Sequence, residues 1–264
     1  MGSILKVNNL NYMDFSNINL SFDSNKIYFI VGGNKSGKTT LFRILSSLIP
    51  TNNIICFNNE FLNRNNRNNY IKKIGVINRV NKYSFIYKSV KSELLSPLLN
   101  LGYSYSEAKK RIYDVLSIFN MKYIYSKKVN ELNCFERQTL LIIISLLHKP
   151  KVLLLDNVFD IYKKSKRENI LNILKKYMLK ENITIINFTS SLEDIMISDK
   201  VIILSKFKIV KETTFMEIYN NDKLFYENNL EIPFIFDIVN KLKMYDLVKN
   251  NYTDMKDLVD DIWH

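Results

Sequence analysis

The chain has 264 residues, 47% of them hydrophobic and 24% charged, proportions that imply a sizeable globular core and exclude a disordered chain. The longest apolar stretches, such as 140–147, fall far short of the ~20 residues a bilayer span needs, and only Cys56 and Cys134 are present, so neither a membrane span nor a disulfide framework is expected. The formal charge of +12 is spread over lysine- and asparagine-rich loops such as 63–69, which reads as solvated surface: no direct nucleic-acid partner is expected, and anionic lipid headgroups stay compatible.

In chain order, short strand-like pieces at 4–7 and 18–22 alternate with polar turns and predict a small sheet. Residues 27–31, Ile-Tyr-Phe-Ile-Val, read as a buried strand. Directly after it, Gly32-Gly33-Asn34-Lys35-Ser36-Gly37-Lys38-Thr39 fits the phosphate-loop pattern GxxxxGK[ST], and 39–48 follows with Leu41, Ile44, Leu45 and Leu48 at helical spacing. Strand, glycine loop and helix are the context that pattern requires. Glycines let backbone N–H groups close around phosphates, and the helix aims its positive end at them. The pattern assigns Gly32, Asn34, Lys35, Ser36 and Gly37 to the cradle and Lys38 to the β- and γ-phosphates. Thr39 becomes a Mg²⁺ ligand and Thr40 a donor near the α-phosphate. The expected cofactors are ATP and Mg.

Further strands are predicted at 54–57 and 74–77, separated by the asparagine-rich loop. From Ser104 onward, Ala108, Ile112, Val115, Leu116 and Phe119 give an amphipathic helix, and 139–148 gives another, stopped by Pro150. Val152-Leu153-Leu154-Leu155-Asp156 is an apolar run ending in a carboxylate. Downstream of the phosphate loop it fits a Walker B strand, with Asp156 as a second Mg²⁺ ligand. A helix at 163–179 and strands at 183–188 and 201–204 complete an alternation that predicts a parallel sheet covered on both sides.

This order of pieces resembles the nucleotide-binding subunit of ABC transporters over essentially the whole chain. In that family a helix before Walker B opens with a signature written LSGGQ, matched here by Leu132-Asn133-Cys134-Phe135-Glu136. The stretch from Leu99-Asn100-Leu101-Gly102-Tyr103-Ser104 into residue 112 is similar to ATPase subunits of energy-coupling factor (ECF) transporters. So is the tail from Leu230-Glu231-Ile232-Pro233-Phe234 onward. The resemblance implies an α/β P-loop NTPase of ABC type: a mostly parallel sheet, an N-terminal antiparallel β subdomain, a helical subdomain and a small helical C-terminal extension. The expected division is 1–212, with the helical subdomain at about 84–148, and 213–264. It implies an ATP-binding transporter subunit, peripheral on the inner, cytoplasmic face of the cell membrane. Its partners would be a second ATPase subunit, in a heterodimer rather than a homodimer, and a membrane coupling protein; its role would be uptake of a vitamin or metal ion.

The chain also departs from that family. Asn157 stands where a glutamate polarises the attacking water, and an amide cannot accept the proton, a loss worth ~10²–10⁴-fold in rate. Ser190 aligns with the switch histidine. The Q-loop glutamine aligns with Arg79, or with Asn78 if the register shifts by one. Cys134 and Phe135 replace the signature glycines, placing side chains where a partner's phosphate approaches, and Asp160-Ile161-Tyr162-Lys163 lacks the small-residue D-loop ending in Asp. Tyr12 is a candidate for stacking on adenine, as an aromatic does in the family, and equally a packed aromatic. Weak or absent hydrolysis is expected, the alternative being a regulatory pseudo-ATPase that binds nucleotide without turnover.

Overall fold

The computed structural model describes residues 2–81, 83–219, 223–228 and 230–263. Strands β1 (Ser3–Tyr12) and β2 (Phe15–Asp23) form an antiparallel hairpin, followed by β3 (Ile27–Val31) and helix α1 (Lys38–Leu45). Next come β4 (Ile55–Phe57), β5 (Glu60–Phe61), α2 (Arg67–Ile71) and β6 (Ile74–Asn78). Helices α3 (Val90–Asn100), α4 (Tyr105–Ile118) and α5 (Cys134–Leu147) lead to β7 (Val152–Asp156), α6 (Lys164–Glu181), β8 (Thr184–Thr189), β9 (Lys200–Ser205) and β10 (Lys208–Thr213). Beyond β10 lie α7 (Phe215–Tyr219), α8 (Lys223–Glu227), α9 (Phe234–Met244) and α10 (Met255–Ile262).

Two sheets result. The antiparallel one runs β2-β1-β4-β5, and the larger runs β10-β9-β3-β8-β7-β6, its strands parallel except for β10 at the edge. The buried strands of the larger sheet serve two cores because side chains alternate across a strand. Tyr28, Ile30, Leu154, Ile186, Phe188 and Ile202 pack on the side of the antiparallel sheet and α1. Phe29, Val31, Leu153, Leu155, Ile185 and Ile203 pack on the side of α4, α5 and α6. This two-sided burial explains why β7 is an uninterrupted apolar run up to Asp156 and why every residue of β8 is buried. The fold is thus the expected α/β arrangement: a mainly parallel sheet, an antiparallel N-terminal sheet, and helical pieces between β6 and β7 and after β10.

Several local expectations are corrected. The helix after the phosphate loop stops at Leu45, not at 48: Ser47 turns left-handed at φ 58°, the N–H groups of Leu48 and Ile49 both reach back to the Arg43 carbonyl, and Leu48 is 61% exposed. Helix α5 begins five residues before Thr139, because Asn133 and Glu136 form a reciprocal capping box, at 3.0 and 2.8 Å, that starts it at Cys134. The asparagine-rich loop is partly ordered into α2, with the Asn63 carboxamide oxygen accepting from the N–H groups of Asn65 and Asn66. Helix α3, capped by Ser89 and with Pro97 inside it, and the edge strand β10 add to the elements expected from the sequence.

Within the chain after β10, one hydroxyl joins α7 to the segment before α10. Tyr219 Oη donates to the Tyr252 carbonyl at 2.8 Å and accepts from the Tyr252 N–H at 3.1 Å, while its ring lies 4.5 Å from that of Phe236. Among the described residues, no helix is long and apolar enough to cross a membrane.

Candidate functional site

Four neighbouring strands, β3, β8, β7 and β6, point their C-terminal ends the same way. Open α/β sheets bind ligands in the crevice outside those ends. Gly32 leaves β3, Ser190 leaves β8, Asp156 and Asn157 close β7, and Asn78 and Arg79 leave β6. Residues separated by up to 158 positions in sequence are therefore brought to one edge by the sheet register, in which Asp156 lies between Phe188 and Asn78.

The phosphate loop has the conformation its glycines permit. Gly37 takes φ 106° and Lys35 φ 62°, and a Cβ on Gly32 would stand 2.2 Å from the Leu204 carbonyl oxygen. Helix α1 opens directly on Lys38. No side chain caps it and no acid occupies its first turn, whereas α4 and α5 carry capping boxes. Its first N–H groups are thus left to an anion, the arrangement a phosphate requires.

Lys38 is 8% exposed and folds back over the loop, donating to the carbonyls of Gly32 and Gly33 (2.9 Å to the latter) and to Ser36 Oγ at 3.4 Å. Burial pushes its pKa down, against the opposing pull of Asp156 and Asp160. Asn34, Lys35 and Thr39 are exposed and Thr40 is half-buried.

Asp156 is half-buried, and burial raises its pKa against the lowering influence of Lys38 and Arg43. A carboxylate whose charge is poorly solvated is one a cation would stabilise. Among the described residues there is no cluster of three His, Cys, Asp or Glu side chains able to hold a metal. The donor set is instead one carboxylate, Asp156, and one hydroxyl, Thr39, which suits Mg²⁺, an ion that keeps several waters and takes phosphate oxygens as ligands. These residues fit the ion.

Asn157 adopts φ 50°, its backbone N–H donates to the Phe188 carbonyl at 2.9 Å, and its side-chain amide donates to Asp156 Oδ1 at 3.0 Å. Its own Oδ1 is buried without a partner. Ser190 is exposed just past β8. Asn78 ends β6 with Arg79 following, and both side chains are exposed. Tyr12 ends β1 opposite Phe15, half-buried against the core beneath the antiparallel sheet.

The signature segment is arranged differently from its expected profile. Cys134 is exposed, but Phe135 turns inward onto the D-loop, its ring 6.1 Å from that of Tyr162 with Lys166 Nζ 5.1 Å above it. Tyr162 in turn bonds Thr139 Oγ1 at 2.8 Å. The bulk of Phe135 is thus taken up within this chain, because a neighbouring tyrosine offers it an apolar face.

Three further side chains bear on the site. Gln138, fully buried in α5, accepts from the Val80 N–H at 2.7 Å and donates to the Asn78 carbonyl at 3.2 Å, fixing the exit of β6. Asp160 adds a carboxylate whose pKa is raised by burial and lowered by Arg79, Arg167 and Lys38. Arg167, 9% exposed, pairs with Glu193 and, at 3.0 Å, with Asp194, linking α6 to the segment after Ser190. A fully buried glutamine just before the apolar run of α5 was the one visible signal among these.

The ABC transporter family model matches residues 15–160, more than half of the chain. The energy-coupling factor transporter ATP-binding protein EcfA of Pediococcus pentosaceus is 28% identical over 243 residues, covering 89% of this chain and 87% of that protein. EcfA1 of Oenococcus oeni is 26% identical over 269 aligned residues, 98% of this chain and 97% of that one. Among solved structures, cbiO1 from Clostridium perfringens, part of the ABC transporter complex cbiONQ, superposes with a TM-score of 0.77 at 23% identity, covering 91% of this chain and 100% of that one. At that identity the likeness speaks to the fold alone.

Proposed function

The chain belongs to the ABC transporter family, and on that premise we propose that it is the ATP-binding subunit of an ECF-type transporter whose hydrolysis is weak or absent. Gly32 to Thr40 hold the nucleotide, with Lys38 leaving the Gly32 and Gly33 carbonyls for the β- and γ-phosphates. Thr39 and Asp156 hold Mg²⁺, and Tyr12 stacks on the base. The observation that carries the weakness is the amide of Asn157 donating to Asp156 at 3.0 Å. A residue that donates to the Mg²⁺ carboxylate and cannot take a proton does not serve as a general base. Ser190 and Arg79 leave the remaining switch and Q-loop positions without their usual groups.

Partners follow from the same reading. Residues 1–212 form the nucleotide domain, with a helical subdomain at about 84–148, and 213–264 form the extension. The domain pairs with a second ATPase subunit, the heterodimer being favoured by the altered signature, and sits on a membrane coupling protein at the inner face of the membrane, serving uptake of a vitamin or metal ion. The names of the EcfA relatives support this choice.

The test is ATP turnover by the purified chain, alone and mixed with a second ECF-type ATPase subunit, together with direct Mg-ATP binding. Binding with slow turnover is expected; brisk turnover by the lone protein would sink the weakened-motor reading. A second reading, a regulatory module in which ATP only shifts a conformational equilibrium, draws on the same Asn157 contact and predicts no turnover in any mixture.

A further inference from the structure

Two aromatic rings from distant parts of the chain wall Gly37. A Cβ placed on Gly37 would come within 2.9 Å of Phe15 Cζ and within 2.9 Å of Phe207 Cδ1. The rings meet edge to face, centroids 5.0 Å apart at 76°. Phe15 opens β2, and Phe207 sits in the two-residue turn between β9 and β10. The Phe207 N–H also donates to the Ser36 carbonyl at 2.9 Å. The hairpin therefore holds the phosphate loop by backbone and by ring at consecutive residues.

This contact is made from a strained position. Lys206 and Phe207 lie in the left-handed region at φ 47° and 60°. A two-residue hairpin turn needs positive φ at both places and ordinarily takes Asn-Gly or Asp-Gly, because glycine adopts it without steric penalty. A bulky ring there is an outlier, and such outliers persist where the surroundings hold them and tend to gather at ligand sites. The ring packs on Phe15 at the margin of the core beneath the antiparallel sheet, but it does so on a backbone that glycine would relieve while keeping the bond to Ser36.

We propose that Phe207, leaning on Phe15, is a positioning residue for nucleotide: it braces Ser36 and Gly37 so that the loop amides and the start of α1 hold their phosphate-binding shape before ATP arrives. The inference rests on the reading of 32–40 as the Mg-ATP site. Its physical basis is preorganisation. A loop already held pays less ordering entropy on binding, so the brace acts on affinity while the strain acts against stability. The two effects of removing the ring have opposite signs.

The experiment compares full-length wild type with Phe207→Gly, Phe207→Asn and Phe207→Tyr, using titration with a fluorescent ATP analogue in Mg²⁺ and thermal unfolding without nucleotide. Glycine and asparagine both tolerate the left-handed turn and lack the ring. The expected result is a melting temperature equal to or above wild type for these two, with affinity weakened ~5–10-fold, and wild-type affinity for Phe207→Tyr. Unchanged affinity in the glycine and asparagine variants overturns the proposal. So does a loss of affinity that appears only alongside a lowered melting temperature, which marks a merely structural ring. If wild type itself fails to bind the analogue, the reading of the site falls, and the brace with it.

Discussion

The side-chain amide of Asn157 donates to Asp156 Oδ1 at 3.0 Å, so the two residues closing β7 are joined to each other, one as donor and one as acceptor. A glutamate at 157 would reverse the sign of that relationship.

Asn157→Glu is therefore expected to melt lower than wild type without Mg²⁺, because two carboxylates then adjoin, and to recover with Mg-ATP. If the remainder of the machinery is competent, phosphate release rises at least about tenfold, the low side of what general-base help supplies. Unchanged turnover with intact nucleotide binding favours the regulatory reading.

Lys38→Met keeps length and removes the charge that burial already disfavours. The apo protein is expected to stay within about 2–3 kcal/mol of wild type, the scale of the lost bonds to Gly32, Gly33 and Ser36. The rise in melting temperature that saturating Mg-ATP gives wild type, about 2.7 kcal/mol of stabilisation at a hundredfold excess over Kd, should vanish. Scanning calorimetry with and without nucleotide reads both.

Gln138→Leu leaves the Val80 N–H and the Asn78 carbonyl without their shared partner. Orphaning two backbone groups costs about 2–3 kcal/mol, to be seen as a lower urea midpoint with an unchanged m-value. From within α5, Gln138 holds the exit of β6, so nucleotide affinity should fall with it.

Asp194 carries a pH signature. Burial pushes its pKa up to about 6, with Asp160 and Glu168 adding to the rise and Arg167 opposing it. The folded protein thus holds this proton more tightly than the unfolded chain, and stability from this group is complete below the unfolded pKa of about 4 and lost as pH climbs through 6. The loss is on the order of 3 kcal/mol at most. Asp194→Asn should flatten the stability curve between pH 4 and 6. An unaltered curve would place the titration elsewhere.

Legibility in the sequence followed range. The phosphate loop, its strand and Val152-Leu153-Leu154-Leu155-Asp156 were readable because each is written in consecutive residues whose burial on both faces leaves an uninterrupted apolar run. The start of α4 was readable from the helical spacing that sets in after Ser104, and the structure adds a Ser104–Glu107 capping box there. The end of α1 was misjudged because Leu48 keeps the helical period while Ser47 breaks the backbone beneath it. Helix α5 was begun too late because its dense apolar run starts only at Leu140, while the Asn133–Glu136 pair starts the helix at Cys134.

By itself the sequence determined the local chemistry: a glycine loop before a helix, a carboxylate at a strand end, and an amide directly after it. Tertiary structure alone decided which of these meet. Parallel strands carry Gly32, Ser190, Asp156 and Arg79 to one edge because register, not sequence distance, sets neighbours in a sheet. Phe207 reaches Gly37, Phe135 turns onto Tyr162 and Gln138 grips Val80 for the same reason. Each is a contact between segments that no local pattern links, made where the packing of two cores against one sheet leaves a partner within reach.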